Sequence, residues 1–207
     1  MDKIELRRRL RKCLFEMTDE QRSEKSKKAC RNLVSTAQFE RASVVMMYLS
    51  LPHEVDTCEA ILSAWQLGKT VLVPKVSWQQ RHMIPVRINS LETNFATEAS
   101  GLRNPTIGVP MPPAEIDLVV TPALGFDGKG NRLGRGSAYY DRFFANAELK
   151  AARCGFAFAE QRVQAIPVAE HDERVDFLVT DEGVFYFNQN SAQEVDSCLR
   201  KNDRAIH

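Results

Sequence analysis

A chain of 207 residues, 43% hydrophobic and 27% charged, has the length and composition of one folded unit with a full core. A net charge of +1 gives no bulk attraction to nucleic acid or to an anionic membrane, and no apolar run approaches the length of a membrane span. Five cysteines without a Cys-x-x-Cys pair and four scattered histidines argue against a disulfide framework or a zinc cage, and fit a reducing cytoplasm.

Leu6, Leu10, Cys13, Leu14 and Met17 recur at helical spacing, so residues 3–17 read as an amphipathic helix. Thr18 and Gln21 form a capping box for a second helix over residues 19–37. These first 41 residues hold 12 Lys and Arg against 7 Asp and Glu, a basic excess that suits either a solvated face or a phosphate ligand. Val44–Leu49 is a continuous apolar run, the pattern of a strand buried on both faces. A helix capped at Asp56 runs to Leu67, where Gly68 stops it, and Thr70–Val73 is the next buried strand, closed by Pro74. Residues 77–115 are less regular, with a strand over Met83–Ile88 and a proline-rich loop over Gly101–Pro113. Leu118–Leu124 is a strand, Tyr139–Ala147 a short helix, and Cys154–Ala159 and Phe177–Thr180 are further strands. The turn Asp181–Gly183 leads into an edge strand, Val184–Phe187. Strands alternating with helices predict an α/β fold, a three-layer α/β/α sandwich with a mostly parallel central sheet, over residues 1–187 as a single domain. The polar residues 188–207 read as a frayed tail. In such sheets ligands sit beyond the carboxyl ends of the strands, so the loops Ser50–Thr57, Pro74–His82 and Phe126–Ala138 should converge on one cleft.

The third of these loops is the most informative. Gly128 to Gly136 holds four glycines, two arginines and a lysine between a strand and a helix start. Glycines let backbone amides approach a phosphate, a helix N-terminus adds its dipole, and arginines bind phosphate oxygens in pairs. Gly68-Lys-Thr70 is no P-loop, because the upstream glycine is missing and a strand follows; Gly-x-Gly-x-x-Gly is also absent. Taken alone, Asp127–Asn131 is a turn, and Arg132 and Arg135 are what favour a phosphate site. Asp141 either stabilises the helix N-terminus or holds Mg²⁺ beside the phosphate. Of Tyr139 and Tyr140, one suits the core and the other the ligand. Glu54 reads as a loop carboxylate within reach of the cleft, and Asp172 as part of an exposed acidic loop.

These segments resemble the 5-formyltetrahydrofolate cyclo-ligases, also called 5,10-methenyltetrahydrofolate synthetases. The likeness is carried by Lys3-x-x-Leu-Arg7, Tyr48-Leu-Ser-Leu-Pro-His-Glu-Val-Asp-Thr57, Val73-Pro-Lys75, Met83 and Gly101-Leu-x-x-Pro105. It continues through Gly125-Phe-Asp-x-x-Gly-Asn-Arg-Leu-Gly-Arg-Gly136 with Tyr139-Tyr-Asp-Arg142, then His171-Asp172 and Val175-Asp176. The resemblance implies an ATP- and Mg²⁺-dependent cyclisation of 5-formyltetrahydrofolate to 5,10-methenyltetrahydrofolate by a cytoplasmic monomer acting on small molecules alone, without nucleic acid or membrane. It implies ATP contacts from Lys3, Arg7, Arg132, Leu133, Gly134, Arg135, Gly136, Ser137, Ala138, Tyr139 and Tyr140, with Arg135 and Tyr140 catalytic. It implies folate contacts from Arg7, Leu49, Glu54 and Tyr140, and Mg²⁺ held by Asp141 and Asp172.

The family usually has glycine at the positions of Ser137 and Ala138. We expect residue 138 to begin the helix with Ser137 as its N-cap, which makes the alanine harmless. A positive φ at Ala138 would count against this. The departure also motivates an alternative, a folate- or nucleotide-binding homologue without catalysis; a third is an ATP-independent enzyme acting on a sugar phosphate.

Overall fold

A computed structural model describes residues 2–98 and 101–187, so the predicted frayed tail at 188–207 lies outside the described residues. Helix α1 (Lys3–Glu16) opens on Asp2, whose carboxylate accepts the Glu5 amide, and buries Leu6, Leu10 and Leu14. Helix α2 (Asp19–Val34) opens on the Thr18–Gln21 capping box. It ends before the expected residue 37, because Thr36 caps a separate short helix, α3 (Ala37–Arg41), by accepting the Phe39 amide. Strand β1 (Val44–Met47) follows, then α4 (Cys58–Gln66), which stops where Gly68 takes a φ of 72°. The N-cap is Thr57, without a side-chain cap bond, one residue after the expected Asp56, whose carboxylate accepts the Cys58 amide at 3.0 Å.

Strand β2 (Thr70–Ser77) runs past its predicted end at Pro74 and forms a hairpin with β3 (His82–Arg87), pairing Pro74 with Pro85. Its register with β1 ends at Leu72, so Pro74 has only β3 beside it and its missing N–H interrupts no ladder on the other side. The proline-rich stretch contributes a strand of its own: β4 (Phe95–Thr97) pairs with β5 (Arg103–Pro105). Next come β6 (Leu118–Thr121), β7 (Gly125–Asp127), β8 (Arg132–Leu133), α5 (Tyr139–Phe144), β9 (Ala152–Phe156), β10 (Arg162–Val163), β11 (Phe177–Thr180) and β12 (Gly183–Tyr186).

Seven strands form the central sheet in the order β12-β11-β9-β6-β1-β2-β3. The five inner strands are parallel and the two edge strands antiparallel. This is an α/β fold with a mostly parallel sheet, as the alternation of patterns predicts. Side chains alternate across it: Val45 and Met47 join α1 to α4 in one apolar cluster, while Met46 joins Phe143 and Phe144 of α5 in the other. The two outer layers are unequal. Four helices cover one face, and six-residue α5 covers part of the other together with Phe126 of the small β10-β7-β8 sheet, whose Leu133 and Val163 pack on the first side. That thinner layer leaves the cleft open.

Candidate active site

From β1 the chain crosses to β2 on one side, and β6 lies on the other, so the strand order reverses between β1 and β6. A cleft of about 450 Å³ opens beyond the carboxyl ends of these strands, lined by Tyr48 and Leu49 after β1, Pro122 and Ala123 after β6, and Pro74 and Val76 of β2. It gathers every site residue expected from sequence. Lys3 and Arg7 enter from α1, Leu49 and Glu54 from the first loop, the run Arg132 to Asp141 from the glycine loop and α5, and Asp172 from the loop before β11.

The glycine loop divides into two halves with different work. Its first half is a structural turn. The Asp127 carboxylate accepts the amides of Lys129, Asn131 and Ile166 and the Asn131 side chain. Gly130 has a φ of 78°, and a Cβ there would meet the Val175 carbonyl oxygen at 2.5 Å. Lys129 and Gly130 therefore belong to the turn, and the cleft begins at Arg132. The second half lies open: a Cβ on Gly136 would meet nothing within 4 Å.

Ala138 corrects the expectation for the helix start. Its φ is 51° and ψ 29°, in the left-handed region, and it stands at the N-cap position without a side-chain cap bond. Ser137 is not the cap. The bend is fixed by Arg142, whose backbone amide bonds the Ala138 carbonyl at 3.2 Å and whose guanidinium bonds the carbonyls of Ser137 and Arg81 at 2.7 and 2.6 Å. Because α5 has only six residues, its dipole is small. Attraction for an anion comes instead from Lys3, Arg7, Arg132 and Arg135.

Each carboxylate expected at the site is held by one of the cations expected there. Lys3 pairs with Asp172, Arg132 with Asp141 at 2.6 Å, and Arg135 with Glu54 at 3.0 Å. Arg7 points its Nε at the Gly134 carbonyl, 2.9 Å away, and so ties α1 to the loop. Arg132 is the most enclosed cation, its side chain 4% exposed between Asp141 and the rings of Tyr140 and Phe144. Its Nε is buried without a hydrogen-bond partner. Burial pulls its pKa down, against Asp141, and it remains a cation at neutral pH. Burial, with Glu54 nearby, pushes the Tyr140 hydroxyl far above its ordinary value, so it stays a neutral phenol, hydrogen-bonded to the Thr121 side chain. For Asp172, burial raises the carboxyl, but Lys3 and the Ala169 amide outweigh it and hold the group below its ordinary value.

Mg²⁺ takes one or two carboxylates and fills its octahedron with water and phosphate. The bonds of Asp141 and Asp172 run through a single oxygen each, Oδ1 and Oδ2. Both carboxylates also act on Arg132, which puts them in one neighbourhood. Among the described residues no group of three or more His, Cys, Asp or Glu could hold a metal ion. A two-carboxylate hard-cation site fits; an all-protein cage does not.

Sequence reading missed several lining residues: Tyr48, Val76, Trp78, Leu102, Arg103, Pro122, Ala123 and His171. Trp78 stands at the end of β2, edge-on to Tyr139 at 5.6 Å, with its indole N–H on Glu98. The signal available was its place in the expected loop after Thr70–Val73; nothing in the residue type singled it out. Among the described residues, no helix is long and apolar enough to cross a membrane.

The profile of the 5-formyltetrahydrofolate cyclo-ligase family matches residues 1–181. The 5-formyltetrahydrofolate cyclo-ligase of Mus musculus is 30% identical over 191 residues, covering 86% of this chain and 92% of that one. The enzyme of the same name from Escherichia coli K12 is 29% identical over 178 residues, covering 82% and 94%. Among solved structures, the 5,10-methenyltetrahydrofolate synthetase of Aquifex aeolicus superposes with a TM-score of 0.80 at 28% identity, covering 94% of this chain and 97% of that one. A synthetase from Mycoplasma pneumoniae, at 20% identity and a TM-score of 0.72, shares the fold. With a family match spanning nearly all of the described chain and the family's motifs converging on one cleft, the chain belongs to the 5-formyltetrahydrofolate cyclo-ligase family.

Proposed function

We propose that this protein converts 5-formyltetrahydrofolate and ATP into 5,10-methenyltetrahydrofolate, ADP and phosphate, with Mg²⁺. The observation that carries the reading is the cleft itself: five cations, Arg103 among them, and three carboxylates beside an apolar wall, at the point where the strand order reverses. A triphosphate, a divalent cation and a flat heterocycle need those three kinds of surface side by side.

The formyl oxygen attacks the γ-phosphorus and ADP leaves, which activates the formyl carbon as an iminium phosphate. N10 then attacks that carbon, the C–O bond breaks, phosphate departs, and loss of the N10 proton leaves the methenyl bridge. No protein nucleophile is required; the demand is for in-line positioning and for neutralising charge that spreads over the phosphoryl oxygens. Arg135, Lys3 and Arg7 supply that charge, with the amides from Gly134 to Ala138 beside them. Tyr140, a neutral phenol whose ionisation burial disfavours further, can donate a hydrogen bond to substrate. Glu54 binds the pterin edge and Leu49 its face. Asp141 and Asp172 would hold Mg²⁺, which would supply charge neutralisation to the phosphoryl oxygens; Arg132 acts from behind, fixing Asp141.

All these groups lie within residues 1–187, and we read the protein as a single domain acting as a monomer. Buried free thiols at Cys30 and Cys154, both pushed upward in pKa by burial, support a reducing cytoplasm. The test is turnover: purified protein, ATP, Mg²⁺ and 5-formyltetrahydrofolate, followed by methenyl absorbance. The signal should require all three additions. No product from folded protein would overturn the reading.

A further inference from the structure

Two of the three ion pairs, Lys3–Asp172 and Arg132–Asp141, join a cation to a carboxylate of the proposed Mg²⁺ site. The third is different, because it joins the nucleotide side of the cleft to the pterin side. Arg135 places Nε and Nη2 on one oxygen of Glu54, at 3.2 and 3.0 Å, while the other oxygen accepts the Leu51 amide at 3.0 Å. Glu54 is the fixed partner. Its side chain is 9% exposed, and its own amide bonds the Leu51 carbonyl, which closes the turn. Arg135 is the movable one, 42% exposed and flanked by Gly134 and Gly136, the second with open space beside it. A guanidinium with two donors spent on Glu54 has fewer for phosphate, and a carboxylate oxygen holding two charge-assisted bonds has little left for a pterin.

We infer that the Arg135–Glu54 pair is a latch between the two substrate subsites, opened by whichever substrate binds first, so that each substrate tightens the binding of the other. This rests on the function proposed above. A substrate binding alone must break the pair; a second substrate finds it already broken. The free energy of the pair in the unliganded cleft is therefore the coupling free energy, and linkage makes it equal in both directions. Because water screens the half-exposed Arg135, the coupling should fall near the low end for linked sites, about 5- to 10-fold in each dissociation constant.

The latch predicts effects opposite to those of simple contact loss. Glu54→Gln keeps an acceptor for the Leu51 amide and loses the charge that holds Arg135. It should bind the nucleotide more tightly than wild type, although Glu54 is assigned to the folate. Arg135→Ala frees Glu54 and should bind folate alone more tightly, although removing a cation by itself weakens the binding of an anion. The experiment is titration calorimetry of the full chain with a non-hydrolysable ATP analogue plus Mg²⁺, and with 5-formyltetrahydrofolate, each alone and with the other saturating. Thermal unfolding checks that the variants are folded. Wild type should show equal reciprocal tightening of about 5- to 10-fold, and neither variant should show any. Wild type that binds both ligands independently, or variants that fail to gain affinity for the opposite ligand, would overturn the latch and leave the proposed function standing. Wild type that takes up neither ligand would overturn both.

Discussion

Ala138→Gly tests the backbone of the phosphate-side loop. Alanine at a φ of 51° sits where its Cβ crowds the following carbonyl, a conformation that costs an L-residue about 1–2 kcal/mol. Glycine removes that strain but adds conformational freedom to the unfolded chain, worth about 0.4–1 kcal/mol in the opposite sense. At the middle of both ranges the difference favours the variant by about 0.8 kcal/mol. For a chain of this size, 1 kcal/mol moves the thermal midpoint by about 2–4 °C, so the midpoint should rise by about 1–4 °C. Differential scanning calorimetry at neutral pH without ligands measures it. Ala138→Val is the matching control: a β-branched side chain tolerates the left-handed region less well, and its midpoint should fall. The bonds from Arg142 to the Ala138 and Ser137 carbonyls hold the bend in all three proteins, so the comparison isolates the residue's own strain. A glycine variant with an unchanged or lower midpoint would show that residue 138 is not left-handed.

Asp141→Asn leaves the enclosed Arg132 facing a neutral partner; the lost charge-assisted bond should destabilise the protein by about 1–3 kcal/mol and raise the Mg²⁺ concentration for half-maximal turnover at least ~10-fold. Unchanged stability and Mg²⁺ dependence would remove Asp141 from both roles. Gly155→Ala puts a Cβ 2.5 Å from Cε1 of the fully buried Phe126, and such overpacking should lower the urea midpoint by the equivalent of about 1–3 kcal/mol; an unaltered midpoint would mean the β9–β7 contact is looser than described. The depressed carboxyl of Asp172 adds stability that is present above its ordinary pKa and is lost as pH falls through its lowered value. Lys3→Met should therefore be less stable than wild type at neutral pH, with the gap closing below about pH 4. A gap independent of pH would show that Lys3 does not hold Asp172.

The order of elements was legible because burial leaves a period in the sequence. Val44–Leu49 and Leu118–Val120 are apolar at every position since both faces of the inner sheet are covered there, and Leu6, Leu10 and Leu14 repeat because one face of α1 is. The misjudged elements are those where tertiary context sets the outcome. Pro74 looks like a strand end, yet it continues β2 because β1 has already fallen away from that side. Thr36 looks like the last turn of the helix expected over 19–37, yet its hydroxyl starts a new one. Residues 101–113 look like loop because they are rich in proline, yet Arg103–Pro105 pairs with Phe95–Thr97 across the chain.

The site was legible as a set of residues, and the partners within it were not. Residue type shows that Arg135 suits phosphate and Glu54 a polar ligand edge; it does not show that they meet, 81 positions apart, or that Lys3 meets Asp172 across 169. Periodicity reports which face of an element is buried, and charged side chains at the ends of strands carry no period. Desolvation supplies the missing rule. A carboxylate or guanidinium enclosed by protein walls is costly unless it has a counter-charge, and the requirement holds whether or not a ligand is bound. A cleft that must accept both a triphosphate and a divalent cation contains cations for the first and carboxylates for the second. With the ligands away, those two sets are the nearest partners available to each other. The resulting cross-pairing neutralises the enclosed charges, and Arg135 and Glu54 are the pair that a nucleotide and a pterin would each have to part.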